Sequence, residues 1–410
     1  MDVNPRFDIH KVINNLKSGK DDGYLGMSSD CIINATHRLK VLLSLLFRAM
    51  TVHGFAPQKL LIGTMSPIPK TKGYTTASDK YRAITLISSL LKLYDYAIMN
   101  SQGYALVTDY LQFGFKEKSS TTLCTSTVSE VARLYRSRGS HVYAVMLDAT
   151  KAFDRIQYVR LFNILLDKGM DVLHVRLLLY MYVNQQLRIK WNGFHSETFC
   201  VYNGVKQGGV ISPVLFGVYI DELIKRFRHS GYGCYVGPYF FGCIGYADDL
   251  VLLSPTKAGL EAMLSICKQY SLDYKVQFNG LKSQFIIFSN EFTKGQISID
   301  TFGMIIQNQD SAIHLGHKLF SDLRSDDLNG IISSFYRQFN SFRCRFGAIA
   351  SKVQANLFTT YCSSFYGCLL LPFKKNDKLS VTWRKSHLFY SAGLETSLEN
   401  TLWNFSQPIQ

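Results

Sequence analysis

Asp248 and Asp249 stand side by side in FFGCIGYADDLVLLS, between two short apolar runs that read as the strands of a hairpin. Adjacent carboxylates at a tight turn repel one another, so a fold that keeps them there gains from a cation held between their oxygens. Magnesium prefers carboxylate and phosphate oxygens. Two such ions roughly 3.5 to 4 Å apart can stabilise both the attacking and the leaving oxygen of an in-line phosphoryl displacement. Bridging them takes a third carboxylate. Asp148 is the candidate, because it too ends an apolar strand, HVYAVMLDA, which antiparallel pairing could bring beside the turn. Taken alone, the Asp-Asp pair reads equally as the polar cap of a surface turn. The surrounding segments decide between the two.

The elements that must position these carboxylates follow from pattern. Residues 1 to about 135 read mainly as helix and loop, from the apolar spacing in INATHRLKVLLSLLFRAM and ITLISSLLKLYDYAI, which flank a basic, Gly- and Thr-rich loop, PKTKGYTTASDKYR. The strand of Asp148 then breaks the pattern, and helical stretches follow it. QLRIKWNGFHSETFCVY reads as a hairpin, since Asn192-Gly193 is a favoured two-residue turn. SPVLFGVYIDELIKRFRHSG reads as a helix with Ser212 as N-cap, Pro213 at the first position, a stripe of Phe216, Ile220, Leu223 and Phe227, and Gly231 as the stop. Beyond the carboxylate hairpin, Leu260, Met263, Leu264 and Cys267 fall at i, i+3, i+4 and i+7 of an amphipathic helix, and KSQFIIFS returns as a strand. From about residue 325 the chain, beginning DDLNGIISSFYRQFNSFRCRF, is helical and basic and is expected to form a separate smaller unit.

Composition narrows the partners. The 410 residues are 47% hydrophobic and 18% charged, which excludes a disordered chain and leaves room for roughly two to three structural units. Lys and Arg number 45 against 30 Asp and Glu, a net charge of +15, and the pI is about 9.3. Such an excess favours a polyanion, although charge alone does not separate nucleic acid from an acidic membrane surface. The nine cysteines form no CxxC pair and no zinc-spaced cluster with histidine; Cys362 and Cys368 lack a partnering His. A reduced intracellular compartment is the plain reading. The N-terminus MDVNPRFDIH has no apolar core, and the run Val41 to Phe47, broken by Ser44, falls far short of the roughly 20 residues a membrane span requires. Neither secretion nor a membrane span is expected.

Three segments in order, LDATKAFDRI, KQGGVISPVLFGVYIDEL and YADDLVLL, closely resemble the successive core motifs of reverse transcriptases. The chain is most similar to the non-LTR retrotransposon (LINE-type) enzymes, and the resemblance runs from about residue 60 to 320. It implies an α+β right-hand polymerase fold: an N-terminal extension and fingers over 1–135 with part of the fingers in 157–205, an antiparallel-sheet palm mainly over 136–322, and a thumb-like helical region over 323–410. The implied activity is RNA-directed DNA polymerisation, extending a DNA primer on an RNA template from deoxynucleoside triphosphates, with two Mg2+ ions or Mn2+ in their place. A group II intron-type reverse transcriptase and an inactive RNA-binding relic are the alternatives; an RNA-dependent RNA polymerase is disfavoured by Phe153. Ribonucleoprotein particles in nucleus and cytoplasm, no membrane, and cooperation with a separate endonuclease or element RNA complete the expectation. Neither the endonuclease domain nor the C-terminal Cys/His segment of such elements fits in this chain, so a fragment, a truncated copy or a separately encoded core is expected.

Residue by residue, the resemblance implies that Asp148, Asp248 and Asp249 bind the metals, Asp249 less directly, with the Ala149 carbonyl as a further ligand. Phe153 matches the bulky side chain that lies under the sugar and rejects a 2′-hydroxyl. Lys70 and Arg82 match residues that grip the triphosphate, Arg being suited to bidentate phosphate contact. Gln207, Gly208, Ser212 and Pro213 match the segment that shapes the nucleotide pocket and contacts template. Lys282 matches the lysine that protonates or neutralises the leaving pyrophosphate. Gln112, Gly114 and Phe115, with Ser120 and Thr121 after them, match a fingers segment expected to support template binding. Leu315 and Gly316 match the primer grip, while His314 and His317 read as surface or packing residues. One departure stands out: Arg82-Ala83-Ile84 replaces the usual RPI, so a turn-rigidifying proline is missing.

Overall fold

β-Branched and aromatic residues bring the Asp148 segment into a strand, Val142–Leu147, with Asp148 immediately after it. The computed structural model describes residues 7–346 apart from 22, 71–76, 151, 290, 292–293 and 324–327, together with 353, 357 and 358. Helices and sheets alternate through an α+β chain that forms two compact units interleaved in sequence: Met1–Ser119, Leu147–Ser283 and Ile299–Ile305 in the first, and Ser120–Met146, Gln284–Ser298 and Ile306–Gln410 in the second.

In the first unit, Ile62–Pro69 pairs antiparallel with Tyr81–Leu86 and parallel with Gln186–Trp191. The first two strands correct the expectation of helix and loop before residue 135. In ITLISSLLKLYDYAI the helical spacing belongs to the second half, where Ser88 Oγ accepts from the Leu90 amide and opens the helix Ser89–Ser101. The first half is held extended by its ladder to Ile62–Pro69. Asn192-Gly193 forms the expected turn, with φ of +48° and +84°, between Gln186–Trp191 and Phe194–His195.

The helix Ser212–Ser230 is the most deeply packed of this unit. Leu215, Phe216, Val218, Tyr219, Ile220, Leu223, Ile224 and Phe227 are all fully buried, each stabilising the fold by about 1.5–3 kcal/mol at most. Gly231 ends it in the left-handed conformation, as expected. Ser212 is not its cap. The N-cap is Ile211, which supplies no side-chain cap, and its own amide donates to Oδ2 of Asp95, on another helix, at 3.4 Å. The strands Cys243–Tyr246 and Asp249–Ser254 pair in the register Tyr246↔Asp249, which leaves Ala247 and Asp248 as the two-residue turn. The amphipathic helix Lys257–Tyr274 follows, capped by Thr256.

In the second unit, Val142–Leu147 pairs antiparallel with Gln284–Phe288 through Met146↔Gln284 to Val142↔Phe288, and Phe285 and Ile286 pair parallel with Asn308 and Gln309. Ser120 caps the helix Thr121–Ser137 by accepting from the Leu123 amide. Leu315 and Gly316, both at positive φ, turn the hairpin between Ser311–His314 and His317–Phe320. His314 and His317 are buried packing residues, and His314 Nδ1 meets Thr125 Oγ1 at 2.9 Å. Leu328–Phe346 is helical, as the pattern from 325 implies, and packs Phe339 and Phe342 with Phe358. Most of the expected thumb, including Cys362 and Cys368, and residues 71–76 of the basic loop lie outside the described residues. Among the described residues every cysteine is free, and no helix is long and apolar enough to cross a membrane.

Candidate active site

The end of the Val142–Leu147 strand delivers Asp148, whose carbonyl accepts from the Asn279 amide at 2.8 Å while Ala149 and Thr150 pair with Phe278 and Gln277. Asn279 then reaches forward: its Oδ1 accepts from the Lys282 amide, and its carbonyl takes both the amide and the hydroxyl of Ser283. One asparagine therefore ties the loop of Lys282 to the backbone of Asp148. Across that link, Lys282 Nζ lies 3.4 Å from Asp148 Oδ2. Sequence reasoning did not single out Asn279; its place three residues before the lysine was the available signal.

The hairpin turn brings Asp248 and Asp249 within electrostatic reach of Asp148. Burial raises the pKa of Asp248, repulsion from Asp148 adds to it, and Arg82 opposes both. Asp249 is pushed up to about 6 by burial first and then by the charges of Asp248 and Asp148. Among the described residues no group of three or more His, Cys, Asp or Glu side chains is gathered closely enough to hold a metal ion. The chemistry of the donors nevertheless suits a hard divalent cation: the carboxylates of Asp248 and Asp249, both raised by burial and by neighbouring carboxylates, lie within electrostatic reach of Asp148, with Arg82 and Lys282 close by.

Ala247, the residue before Asp248, has φ +58°, a conformation that a non-glycine residue adopts at some cost. Gln112 holds it there. Its buried amide accepts from the Ala247 nitrogen at 2.8 Å and donates to the Ala247 carbonyl at 3.3 Å. The backbone on either side joins in, Phe113 N donating to Gly245 O and Gly245 N to Leu111 O. Gly114 must be glycine for this approach, since a Cβ there would lie 2.3 Å from the Ala247 nitrogen. Gln112 and Gly114, expected to support template, are packed against the turn that carries Asp248.

The segment bearing Gln112 is itself anchored to the Ser212–Ser230 helix. Asp221 Oδ2 accepts from the Asp109 amide at 2.8 Å, and Arg228 donates to Asp109 Oδ2 at 2.6 Å. Lys116 donates to the carbonyls of Thr108 and Asp109. Burial pushes Asp221 up to about 7, and its Oδ1 has no partner. Asp95, beneath the start of the same helix, is likewise pushed up to about 7 by burial, against the pull of Ile211, Lys206 and others, and burial brings Lys206 down to about 8. Neither aspartate was among the sequence candidates.

Phe153 stacks on Phe216 with ring centroids 4.6 Å apart and meets Phe115 edge-on at 6.1 Å. Its carbonyl accepts from the Val205 amide, and Gly204 presses so close that a Cβ would sit 2.7 Å from that carbonyl oxygen. At the other end of the same loop, Gln207 O accepts from Thr85 N at 2.6 Å, and Gly208, with φ +117°, lies against the Thr85 carbonyl. The loop from Gly204 to Gly209 therefore joins Phe153 to the strand of Arg82. Ser212 is buried with its hydroxyl 3.4 Å from Tyr182, and Pro213 is half-buried in the first helical turn. Lys70, exposed at the end of its strand, donates its amide to Lys80 O. Leu315 and Gly316 belong to the second unit.

Strand-end and turn carboxylates, with Arg82 in electrostatic reach of Asp248 and an aromatic residue held under a glycine loop, are a donor set suited to phosphoryl-transfer chemistry. Residues 68–319 match the family described as reverse transcriptase (RNA-dependent DNA polymerase), and the chain belongs to that family, with its α+β right-hand polymerase fold. Relatives include the Pol polyprotein of the type-1 retrotransposable element R2 of Nasonia vitripennis, 28% identical over 220 residues, 54% of this chain and 21% of the relative. The RNA-directed DNA polymerase from mobile element jockey of Drosophila melanogaster is 24% identical over 289 residues, 67% of this chain and 30% of the relative. These names match the non-LTR retrotransposon resemblance. The chain spans 20–30% of the length of these and the other first curated relatives it matches. Among solved structures, apo telomerase from Candida Tropicalis truncated from its C-terminal domain aligns with a TM-score of 0.43 at 12% identity, over 68% of this chain and 60% of that one. The family generally uses divalent metal ions.

Proposed function

We propose that the chain is the polymerase core of a non-LTR retrotransposon reverse transcriptase, extending a DNA primer 3′-hydroxyl with deoxynucleotides on an RNA template. The observation that carries this reading is geometric: Gln112 holds the turn that presents Asp248 and Asp249, and Lys282 Nζ lies 3.4 Å from the carboxylate of Asp148 at the end of its strand. Those three carboxylates, with the Ala149 carbonyl, would hold two magnesium ions. When bound, the ions supply charge stabilisation at the attacking and leaving oxygens.

The side chains do the rest by positioning and charge. Arg82 and Lys70 meet the triphosphate. Phe153, wedged between Phe216 and Phe115, sets the floor under the sugar. Lys282, already beside Asp148, is placed to deliver a proton to the departing pyrophosphate or to neutralise it. No covalent enzyme intermediate is required. The test is primer extension on an RNA template with magnesium and deoxynucleotides at low salt, comparing the chain with Asp148→Ala. Extension lost in the variant while RNA binding persists is the expected result. Equal extension by both removes the carboxylates from the chemistry, and RNA binding without extension by either makes the chain a binding protein.

A further inference from the structure

The loop Gly204–Gly209 is anchored at two places to a single stretch of chain. The strand Tyr81–Leu86 runs through Ile87 and Ser88 directly into the helix Ser89–Ser101. From the strand, Thr85 N donates to Gln207 O at 2.6 Å, and Gly208 lies against the Thr85 carbonyl. From the helix, Asp95, only 5% exposed, meets the far end of the loop, where its Oδ2 accepts from the Ile211 amide at 3.4 Å. The Val210 amide adds a second hydrogen bond, and the ammonium of Lys206, inside the loop, acts on the same carboxylate. At its start the loop is fastened to the Phe153 segment, Gly204 N donating to Ile156 O and Val205 N to Phe153 O.

Two anchors matter because one is a hinge. Gly204 and Gly208 sit at φ of +84° and +117°, and glycine leaves the backbone around them free to turn. A loop held by Thr85 alone is free to swing about that point and to carry Phe153 with it. A carboxylate offers acceptors only, and here two amides and an ammonium converge on it. Burial pushes Asp95 up to about 7 and Lys206 down to about 8, so at pH 7.5 the carboxyl is mainly ionised and the amine mainly protonated. Lys92, on the helix of Asp95, adds a further pull, while the Tyr94, Tyr96 and Tyr182 hydroxyls that feel Asp95 are raised and stay neutral. Stabilising the end of the Ser212–Ser230 helix needs only the two amides. The pull on Lys206 reaches into the loop itself.

We propose that Asp95 is a positioning residue of the nucleotide pocket: by holding the Ile211 amide and attracting the Lys206 ammonium it sets the loop Gly204–Gly209, and so fixes Phe153 relative to the strand of Arg82. That the ligand is a nucleotide rests on the polymerase reading above.

The experiment uses the full chain at pH 7.5 with magnesium and a primer on an RNA template. It reads KM and kcat for one deoxynucleotide, the preference for deoxy- over ribonucleotide, and equilibrium binding of a fluorescent deoxynucleoside triphosphate. Asp95→Asn keeps the shape and one accepting oxygen and replaces the other with an NH2 that suits neither the Val210 amide nor Lys206. It should raise KM and weaken nucleotide binding by about tenfold or more. Preference for the deoxy sugar should narrow by roughly three- to tenfold. kcat should stay parental, because Asp148 and Asp248 are held by Asn279 and Gln112. Lys206→Met should act in the same direction, and the two effects should fall short of multiplying in the double variant, since both remove one contact. Where Asp95→Asn does not fold, Lys206→Met decides by the same readings.

Parental KM and sugar preference, whatever the stability in urea, make Asp95 a support of the helix end alone and overturn the proposal. Equal loss of kcat and kcat/KM also overturns it, because the carboxylates themselves have then moved. A parent that extends no primer sinks the polymerase reading; weaker nucleotide binding in Asp95→Asn then still supports the role of the loop, and unchanged binding overturns it too. A parent that binds no nucleotide overturns both.

Discussion

Gln112 and Ala247, 135 residues apart in sequence, exchange two hydrogen bonds, so one buried side chain satisfies both backbone groups of the residue preceding Asp248. Removing that side chain strands a buried amide and carbonyl at a position already held at positive φ. We expect Gln112→Ala to cost about 1–3 kcal/mol in stability. It should lower kcat by ~10- to 100-fold through misplacement of Asp248. Single-turnover extension alongside urea denaturation tests this. A fall in primer–template affinity with kcat intact would return Gln112 to a template role.

Gly208 presses on the Thr85 carbonyl, 2.4 Å from where a Cβ would stand, at a φ of +117° that L side chains rarely adopt. Gly208→Ala must therefore push the loop away from the strand carrying Arg82. The expected signature is a rise in KM for the deoxynucleotide of about tenfold or more, with primer–template affinity preserved. Parental nucleotide kinetics would mean that loop and strand move independently.

What was legible in the sequence was local. Asp148, Asp248 and Asp249 lie where short apolar strands meet turns, Asn192-Gly193 spells its own turn, and Leu260 to Cys267 keep a helical period. The missed residues act across long separations. Asp95 accepts from the amide of Ile211, the residue that opens the Ser212–Ser230 helix, from 116 residues away. Asp221 supports Asp109 from 112 residues away. Each left a faint trace, a carboxylate on the core face of its helix: Asp95 beside Leu91, Tyr94 and Ile98, and Asp221 beside Val218 and Ile224. A single polar residue in an apolar stripe says that a partner exists without saying which. Strand Tyr81–Leu86 was hidden for a related reason, since its apolar residues run into those of the following helix and only the ladder to Ile62–Pro69 separates them.

Phe153 is clamped between Phe216 and Phe115 with its carbonyl tied to Val205, so its ring has little freedom to yield to a larger sugar. Phe153→Ala should open that space and admit ribonucleotides, reducing discrimination by at least about tenfold. Competition between deoxy- and ribonucleoside triphosphates at one template position measures it. Unchanged discrimination would make Phe153 a packing residue alone.

Asp221 ties the segment of Asp109 to the helix Ser212–Ser230 at a cost that depends on pH. Its pKa, pushed up to about 7 in the fold, falls back to an ordinary carboxylate value on unfolding. Between those two values the native state holds a proton that the unfolded chain has released. Stability contributed by this group is therefore complete below about pH 4 and is lost as pH rises to about 7. Asp221→Asn keeps an oxygen to accept from Asp109 N and replaces the partnerless Oδ1 with an amide that carries no charge. The variant should match the parent near pH 4.5 and exceed it near pH 7.5, by on the order of 1–4 kcal/mol. Denaturant titrations at the two pH values decide it. A variant weaker than the parent at both would show that the Asp221 charge is held by Lys116 and Lys168 well enough to outweigh its burial.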